Sequence, residues 1–382
     1  QCDLKTYIPL FFKYLFKFIV VGEIMAIQAT IKDVARESGV SIGTVDRVLH
    51  NRGRVSPEKI QAVLAAVEKL NYTPSKVARA LATSKNSIKI GITYPNVDNA
   101  FWSEIDCGIA KARESLDAFG IELIIEPTYT YNPSEQIEVI DRLVAQGVNG
   151  ILLTSVEGST PERIESHIPS DIVYATVVNV TYGGRRAFHI GPDDYSLGTL
   201  AARLTSFYCG NNAHVLIVSP NYDFTGMQQR IAGFVCKVKF DFPEMNILRT
   251  LPIPSGTKQE LFDNIYNCTA ELLRSYPSAN SLYIPCGLFD YAAAAVKDTG
   301  RSGEVTVIGH EYTASLHDYL KNKIVGATIY QHPAQQWYAA INKLYNILAS
   351  SQKIEYKDYV VECSILMEET ISSAKIGNLD IL

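Results

Sequence analysis

The side chains that most often carry chemistry are few in this chain and widely spaced. The seven cysteines are odd in number and include no Cys-x-x-Cys pair, so the sequence predicts neither a zinc cluster nor a disulfide framework. The seven histidines show no paired metal spacing. Nucleotide and catalytic motifs (GxGxxG after a strand, GxxxxGK(S/T), GxSxG, HExxH) do not occur. We therefore expect no enzyme, no cofactor and no metal, which leaves binding as the chemistry to find.

Charge is distributed unevenly along the chain. The 382 residues are 47% hydrophobic, enough for the cores of two or three domains, and carry a net charge of −5. Residues 28–87 carry +5, whereas residues 88–382 carry −11. A small basic module is thus joined to a large acidic body, and the module is the candidate for contact with nucleic acid.

The basic module predicts three short helices. The first covers Ile31–Ser38 and ends at Gly39, and the second covers Ile42–Leu49 after Ser41, which can cap it. Two short helices joined by a tight glycine turn form a helix-turn-helix, whose second helix fits the major groove of DNA. A third helix begins around Pro57. Its predicted core-facing stripe is Ile60, Leu64, Val67 and Leu70.

The segment that follows the third helix is too short to be a stable helix by itself. Ser75–Leu81 (SKVARAL) spans seven residues between Pro74 and the polar run 83–87. Helix nucleation is costly, so we expect this segment to fold only where DNA or a second chain holds it.

Two runs in this module carry a specific family resemblance. TIKDVARESGVSIGTVDRVLHNRGRVS and LNYTPSKVARALAT resemble the DNA-binding headpiece of LacI/GalR-type bacterial transcription regulators, over about 60 residues without a gap. The resemblance implies that residues 28–74 bind DNA and that residues 75–87 form a hinge helix and linker. It further implies a body shaped like a periplasmic sugar-binding protein.

The resemblance also implies roles for individual residues. Ile42, Gly43 and Arg47 match positions that touch base edges, where arginine suits guanine and isoleucine suits a thymine methyl group. Leu81 matches a leucine that wedges between base pairs in the minor groove. The implied DNA-binding set is Ser41, Ile42, Gly43, Thr44, Arg47, His50, Arg54, Tyr72, Ala78, Arg79 and Leu81.

Asp46 departs from the family pattern, in which a small hydroxyl residue is usual. A carboxylate beside DNA phosphates is repulsive, although it can orient Arg47 or accept a hydrogen bond from a cytosine amino group. We therefore predict that Asp46→Ser tightens non-specific DNA binding.

The acidic body alternates short apolar runs with amphipathic helices. IKIGITY, IELIIEP, GILLTS and IVYATVVNV are followed later by AHVLIVS, SLYIPC, VTVIGH and VGATIYQ. Helices over 103–119 and 133–146 separate the early runs. Such alternation predicts parallel α/β sheets, and eight or so strands suit two doubly wound subdomains. Ligands of this architecture bind at the carboxyl ends of strands, in the cleft between the halves.

The resemblance extends to candidate effector residues in the body. Arg230 in QQRIAGF matches an arginine before a Gly-Phe pair and offers five donors to ligand oxygens. Carboxylates suggest a neutral polyol or sugar, while the arginine leaves a sugar acid or phosphate open. The implied effector-binding set is Asn99, Phe101, Trp102, Glu157, Asn179, Arg230, Asp290, Glu311 and Gln331.

The first residues form an apolar leader. Residues 8–21 are short for a membrane span, Lys13 and Lys17 interrupt them, and no signal cleavage site follows. Because Met25 directly precedes the helix-turn-helix, we expect residues 1–24 to be upstream translation, so that residues 1–27 lie outside the fold. A membrane anchor is the alternative.

The predicted protein is therefore multi-domain. An all-α headpiece (28–74) and a hinge (75–87) precede an α/β effector-binding and dimerisation body (88–382), with subdomains at about 88–191 plus 333–352 and 192–331 plus 353–376. The expected function is that of a cytoplasmic, homodimeric repressor of operator DNA, gated by a small molecule such as a sugar. Corepression, a membrane-tethered regulator and a sugar-binding module without DNA function remain alternatives.

Overall fold

A computed structural model describes residues 31–49, 53, 55–70, 87–96, 100–156, 158–220, 224–253, 258–350 and 356–371. The chain divides near residue 82 into two compact units. We call the described residues of the first unit the headpiece and those of the second unit the body. The predicted hinge helix and leader lie outside the described residues, as do these predicted site residues: His50, Arg54, Tyr72, Ala78, Arg79, Leu81, Asn99 and Glu157.

The headpiece consists of three helices, α1 (Ile31–Ser38), α2 (Ile42–Leu49) and α3 (Pro57–Lys69), as the sequence predicted. Gly39 adopts a φ of 65°, a left-handed conformation that glycine reaches without strain, and this allows the tight turn between α1 and α2. The helices enclose one small core, whose buried members are Val34, Ala35, Val45, Val63 and Ala66.

The predicted inner stripe of α3 is wrong at two positions. Ile60 and Leu64 are 36% and 53% exposed, whereas Val63 and Ala66 are buried. Positions three apart lie on one helix face, and here that face is the one formed by Val63 and Ala66.

The body alternates strands and helices. Its first part contains β1 (Ile88–Thr93), α4 (Ala100–Leu116), a 3₁₀ turn (Asp117–Phe119), β2 (Ile121–Ile125), α5 (Pro133–Ala145), β3 (Gly150–Leu153), α6 (Pro161–Glu165), β4 (Val173–Val177) and β5 (Phe188–Gly191). Its second part contains α7 (Asp194–Cys209), β6 (His214–Pro220), α8 (Thr225–Asp241), β7 (Asn246–Ile253), α9 (Lys258–Ser275), β8 (Ser281–Tyr283), α10 (Phe289–Asp298), β9 (Thr306–His310), α11 (Leu316–Lys321), β10 (Val325–Tyr330), α12 (Pro333–Ala349), β11 (Lys357–Val360), β12 (Ser364–Leu366) and α13 (Glu368–Ile371).

These strands form two six-stranded sheets, as expected for two doubly wound subdomains. The first sheet has the order β11-β5-β4-β3-β1-β2 and is parallel throughout. The second has the order β12-β10-β9-β8-β6-β7, in which β12 alone runs antiparallel to its neighbour. The chain crosses between the subdomains after β5, β10 and β11. Each crossing therefore leaves from the β11/β5 edge of the first sheet or the β10/β12 edge of the second.

Each subdomain buries its own apolar layers. The residues of β3 are all buried, and α12 covers the first sheet with Trp337, Ile341 and Leu344. The eight apolar runs predicted as strands are all strands in the structure, while β5, β7, β11 and β12 were missed. The missed strand β7 is partly exposed and β11 is an exposed edge strand. Neither has the unbroken apolar run by which a buried parallel strand is recognised.

Candidate functional site

The second helix of the headpiece presents an exposed face. Ser41 caps α2 because its hydroxyl accepts the Thr44 N–H at 3.2 Å, and its carbonyl accepts the Val45 N–H at 3.0 Å. Val45 is fully buried and fixes the helix on the core, while Ile42 and Gly43 face solvent. The helix therefore offers a surface that is not needed for its own packing.

Arg47 lies along this exposed face. Its Nε donates to the carbonyl oxygen of Gly43 at 3.1 Å, which orients the guanidinium on this face. Ser41, Ile42, Gly43, Thr44 and Arg47 are thus grouped at the start and along one side of a single helix. An oriented guanidinium on an exposed helix is suited to the O6 and N7 atoms of guanine.

In the body, Arg230 is buried with a compensating charge. Its Nε donates to Oδ1 of Asp194 at 2.7 Å, and its Nη1 donates to the carbonyl oxygen of Pro285 at 3.0 Å. Burial disfavours the charged guanidinium, but the negative charges of Asp194 and Glu311 together outweigh this effect and raise the pKa of Arg230 above its ordinary value. The sequence reasoning missed Asp194, although two consecutive aspartates after the strand end at Gly191 were a visible signal.

Glu311 and Gln331 form a second polar pair. Both are buried, and the Gln331 amide donates to Oε1 of Glu311. Among the described residues, Oε2 of Glu311 and Oε1 of Gln331 have no hydrogen-bond partner. Burial raises the pKa of Glu311 to about 8, against the opposing effect of Arg230. Buried polar atoms without partners are rare in folded proteins, so these two suit a polar ligand.

Strained backbone marks the ends of strands from both subdomains. Glu311, directly after β9, has a φ of 72°, and Val178, directly after β4, has a φ of 70°. A positive φ is uncommon for any residue with a side chain and unusual for a β-branched one. Such strain concentrates at binding sites, where the surrounding structure holds it in place.

Asn179 connects the two subdomains beside this strained turn. Its Nδ2 donates to the carbonyl oxygen of Ser155 at 2.7 Å, and its Oδ1 accepts the Gly226 N–H at 3.4 Å. Ser155 follows β3 and Gly226 lies in α8, so the amide spans the cleft. The Ser155 hydroxyl, which sequence reasoning also missed, is buried without a hydrogen-bond partner in the part of the chain that the structure describes.

Aromatic rings gather where α4 begins. Trp102 is buried and packs edge-on against Phe101 at 4.8 Å between ring centroids and parallel to Tyr94 at 6.3 Å. Its Nε1 donates to the Tyr131 hydroxyl at 3.3 Å, and the Tyr131 ring meets Phe224 edge-on at 4.9 Å. Neither Tyr131 nor Phe224 was predicted, because neither belongs to a motif.

Two further carboxylates occupy different surroundings. Asp290, a predicted site residue, lies in the first turn of α10 and accepts a hydrogen bond from the hydroxyl of Thr313, in the loop after β9, at 2.9 Å. Glu104, which was not predicted, accepts a hydrogen bond from the Tyr330 hydroxyl at 2.5 Å, and burial raises its pKa to about 7. The structure thus brings Arg230, Glu311 and Gln331 into one charged cluster and leaves Asp290 at its side.

Among the described residues, no group of three or more His, Cys, Asp or Glu residues is arranged to hold a metal ion. No described helix is both long and apolar enough to span a bilayer.

Comparison with known families gives two matches. Residues 90–353 match the family model described as a periplasmic binding protein domain. Residues 30–75 match the model described as bacterial regulatory proteins, lacI family.

Individual relatives agree with these matches. A ribose operon repressor of Halalkalibacterium halodurans is 38% identical over 133 residues, which is 34% of this chain and 37% of that protein, so the chain spans little more than a third of that relative. A ribose operon repressor of Lactococcus lactis is 24% identical over 90% of this chain and 98% of its own length. A solute-binding protein of Agrobacterium vitis, solved with α-D-tagatopyranose, covers 76% of this chain and 98% of its own length at 18% identity, with a TM-score of 0.67. This structural similarity shows that the body shares the fold of that solute-binding protein.

Proposed function

Because the chain belongs to the periplasmic binding protein domain family and carries the DNA-binding domain of the lacI family of bacterial regulators, we propose that it is a transcription regulator gated by a sugar. The single observation that carries the DNA-binding part is the exposed face of α2. Its core contact is made by Val45, which leaves Ile42, Gly43 and Arg47 available to base edges. The names of the two relatives, both ribose operon repressors, support repression as its action.

Two copies of the chain bind one operator in this proposal. A near-palindromic site presents two equivalent half-sites, which match the two-fold axis of a homodimer. Lysines and arginines of the headpiece supply a salt-dependent part of the affinity, and contacts from α2 supply the sequence preference. The site of action is the cytoplasm, where operator DNA is.

The effector of this proposal is an uncharged sugar. Arg230 is the cation that a sugar acid or phosphate would need, but Asp194 already balances its charge at 2.7 Å. Among the described residues, the buried polar atoms without a hydrogen-bond partner include Glu311 Oε2, Gln331 Oε1 and Ser155 Oγ. Neutral hydroxyl groups can pair with them without bringing in a charge that would have to be desolvated.

Effector gating follows from the position of the cluster between the subdomains. Asn179 and Glu104 of the first subdomain bond to Gly226 and Tyr330, which lie in α8 and at the end of β10. A sugar that binds the closed cleft better than an open one shifts the population toward closure. Closure changes DNA affinity through the segment that links body and headpiece, either by releasing the operator or, as a corepressor, by tightening its binding.

Loss of one side chain tests the DNA-binding part. A preferred duplex is first selected from a random pool by the wild-type chain, and its affinity is then measured by fluorescence anisotropy at fixed salt. We expect Arg47→Ala to weaken binding by about tenfold to a hundredfold, the range for loss of one good base contact. Arg113→Ala, at an exposed position on α4, is the matched control and keeps wild-type affinity. Equal affinities of the two variants contradict the assignment of α2.

The effector is tested by thermal unfolding in the presence of sugars, beginning with D-ribose. A ligand that binds only the folded state raises the unfolding temperature, and the gain in stability grows with the logarithm of its concentration over its dissociation constant. We expect Gln331→Ala to lose most of this rise and Gln335→Ala, a partly exposed residue one turn further along the chain, to keep it. If both variants respond like the wild type, the cluster around Arg230 is not the effector site.

A further inference from the structure

The cleft between the subdomains is closed at one end by the crossing segments and has a mouth at the other end, and the strand order identifies these two ends. All three crossings leave from the β11/β5 edge of the first sheet and the β10/β12 edge of the second. Tyr131 follows β2, the opposite edge strand of the first sheet, and Phe224 follows β6, next to the opposite edge strand β7. These two residues therefore lie at the end of the cleft that is farthest from the crossings, where a ligand enters.

The two rings meet across this mouth. Their centroids are 4.9 Å apart and their planes are inclined by 83°, an edge-to-face arrangement that aromatic pairs prefer. Phe224 is buried although it stands at the start of α8, where no side chain caps the helix. Its ring packs against Tyr131 of the other subdomain.

Residues of the first subdomain hold Tyr131 and the turn that carries it in place. Trp102 donates its indole N–H to the Tyr131 hydroxyl at 3.3 Å and stacks parallel to Tyr94. Glu135 accepts the N–H groups of Tyr129 and Thr130 at 2.8 and 3.0 Å, which fixes the turn that carries Tyr131. The ring is therefore pre-positioned by the first subdomain before the second closes on it.

We propose that Tyr131 and Phe224 form an aromatic gate that limits the effector by size. This inference rests on the sugar site proposed above. The contact between the two rings closes this end of the cleft. A second ring linked to the first has to pass through the position of the gate, so disaccharides are rejected by exclusion and not by lack of polar contacts. Tyr131 and Phe224 are then specificity-determining residues.

The gate is tested first without any sugar, by hydrogen–deuterium exchange of backbone amides in residues 126–132. Loss of the ring contact frees this turn from the second subdomain, so we expect exchange in Phe224→Ala to be about tenfold faster than in the wild type. Phe240→Ala is the matched control, because Phe240 lies on the same helix and is 75% exposed. Tyr129→Ala, 69% exposed in the same turn, is compared with Tyr131→Ala in the same way.

The second arm measures dissociation constants for D-ribose, D-glucose, maltose and lactose. We expect the wild type to prefer a monosaccharide, and Phe224→Ala and Tyr131→Ala to reduce the monosaccharide-to-disaccharide preference about tenfold, the effect of enlarging a pocket. Unchanged exchange overturns the gate, and faster exchange with unchanged preference overturns its role in size selection. If no saccharide binds even the wild type, the proposed effector is wrong, and so is the selection by size. Faster exchange in both variants would then still show that the two rings are in contact.

Discussion

The headpiece and the body place their functional side chains in opposite surroundings. In the headpiece, Arg47 lies on the outside of an eight-residue helix and donates a hydrogen bond to the carbonyl of Gly43 four residues before it. In the body, Arg230 is buried and bonds to Asp194 and Pro285, which are 36 and 55 residues away. The first arrangement is local and independent of the core, whereas the second is assembled by the fold and cannot change without it.

This difference teaches where function and stability are coupled. An exposed side chain on a helix can be exchanged to alter DNA preference with little effect on folding. A buried ion pair can be altered only at a cost, because the remaining charge has lost both water and its partner. We therefore expect the DNA-binding surface to tolerate change and the effector site to resist it.

The largest effect should come from removing Asp194. In Asp194→Ala the Arg230 guanidinium stays buried without its carboxylate, and we expect the body to lose about 3–5 kcal/mol of unfolding free energy. The measurement is urea unfolding followed by circular dichroism. Asp193→Ala is the matched control, since Asp193 is exposed and caps α7 through the Ser196 N–H, a contact worth about 1 kcal/mol. Similar losses in the two variants would refute the idea that the buried pair holds the body together.

The pH dependence of the unfolding free energy provides the next test. Burial raises the pKa of Glu311 from 4.5 to about 8, so the folded chain binds a proton that the unfolded chain releases at lower pH. Stability from this group is fully present below about pH 4.5 and is lost as the pH rises to about 8. We expect Glu311→Gln to flatten that part of the pH profile, which amounts to roughly 5 kcal/mol.

The control for this pH profile is Glu122→Gln, which removes an exposed carboxylate from β2. Its unfolding free energy should fall between pH 4.5 and 8 as that of the wild type does. Glu104→Gln should also flatten the profile, but only up to about pH 7. If Glu311→Gln leaves the pH dependence unchanged, Glu311 is ionised in the folded body at neutral pH.

A smaller effect separates the two faces of α3. Val63 is fully buried, so Val63→Ala should cost the headpiece about 2 kcal/mol. Leu64→Ser alters a side chain that is 53% exposed and should cost no more than about 0.5 kcal/mol. Both are measured by thermal unfolding. A larger loss in Leu64→Ser than in Val63→Ala would restore the stripe predicted from the sequence.

Structure that neighbouring residues determine could be predicted from the sequence, whereas contacts between distant residues could not. The bounds of α1 and α2 were predictable because capping by Ser41 and the turn at Gly39 are local signals. The buried strands were predictable from their apolar runs. The Arg230–Asp194 pair and the Tyr131–Phe224 contact were not, because a single sequence does not state which distant residues the topology brings together.

The smallest expected effect tests whether a charge in the headpiece acts on DNA, whereas a charge in the body stabilises the fold. Asp46 lies on α2 beside Arg47, and its carboxylate should repel nearby DNA phosphates. We expect Asp46→Ser to tighten binding to a non-operator duplex about threefold at low salt, the size of one exposed charge interaction, and the gain should shrink as salt is added. Fluorescence anisotropy at matched salt measures this, with unfolding temperature as the check on folding. An unchanged affinity would place Asp46 away from the phosphates, and a large change in stability would mean that this charge, like that of Asp194, belongs to the fold.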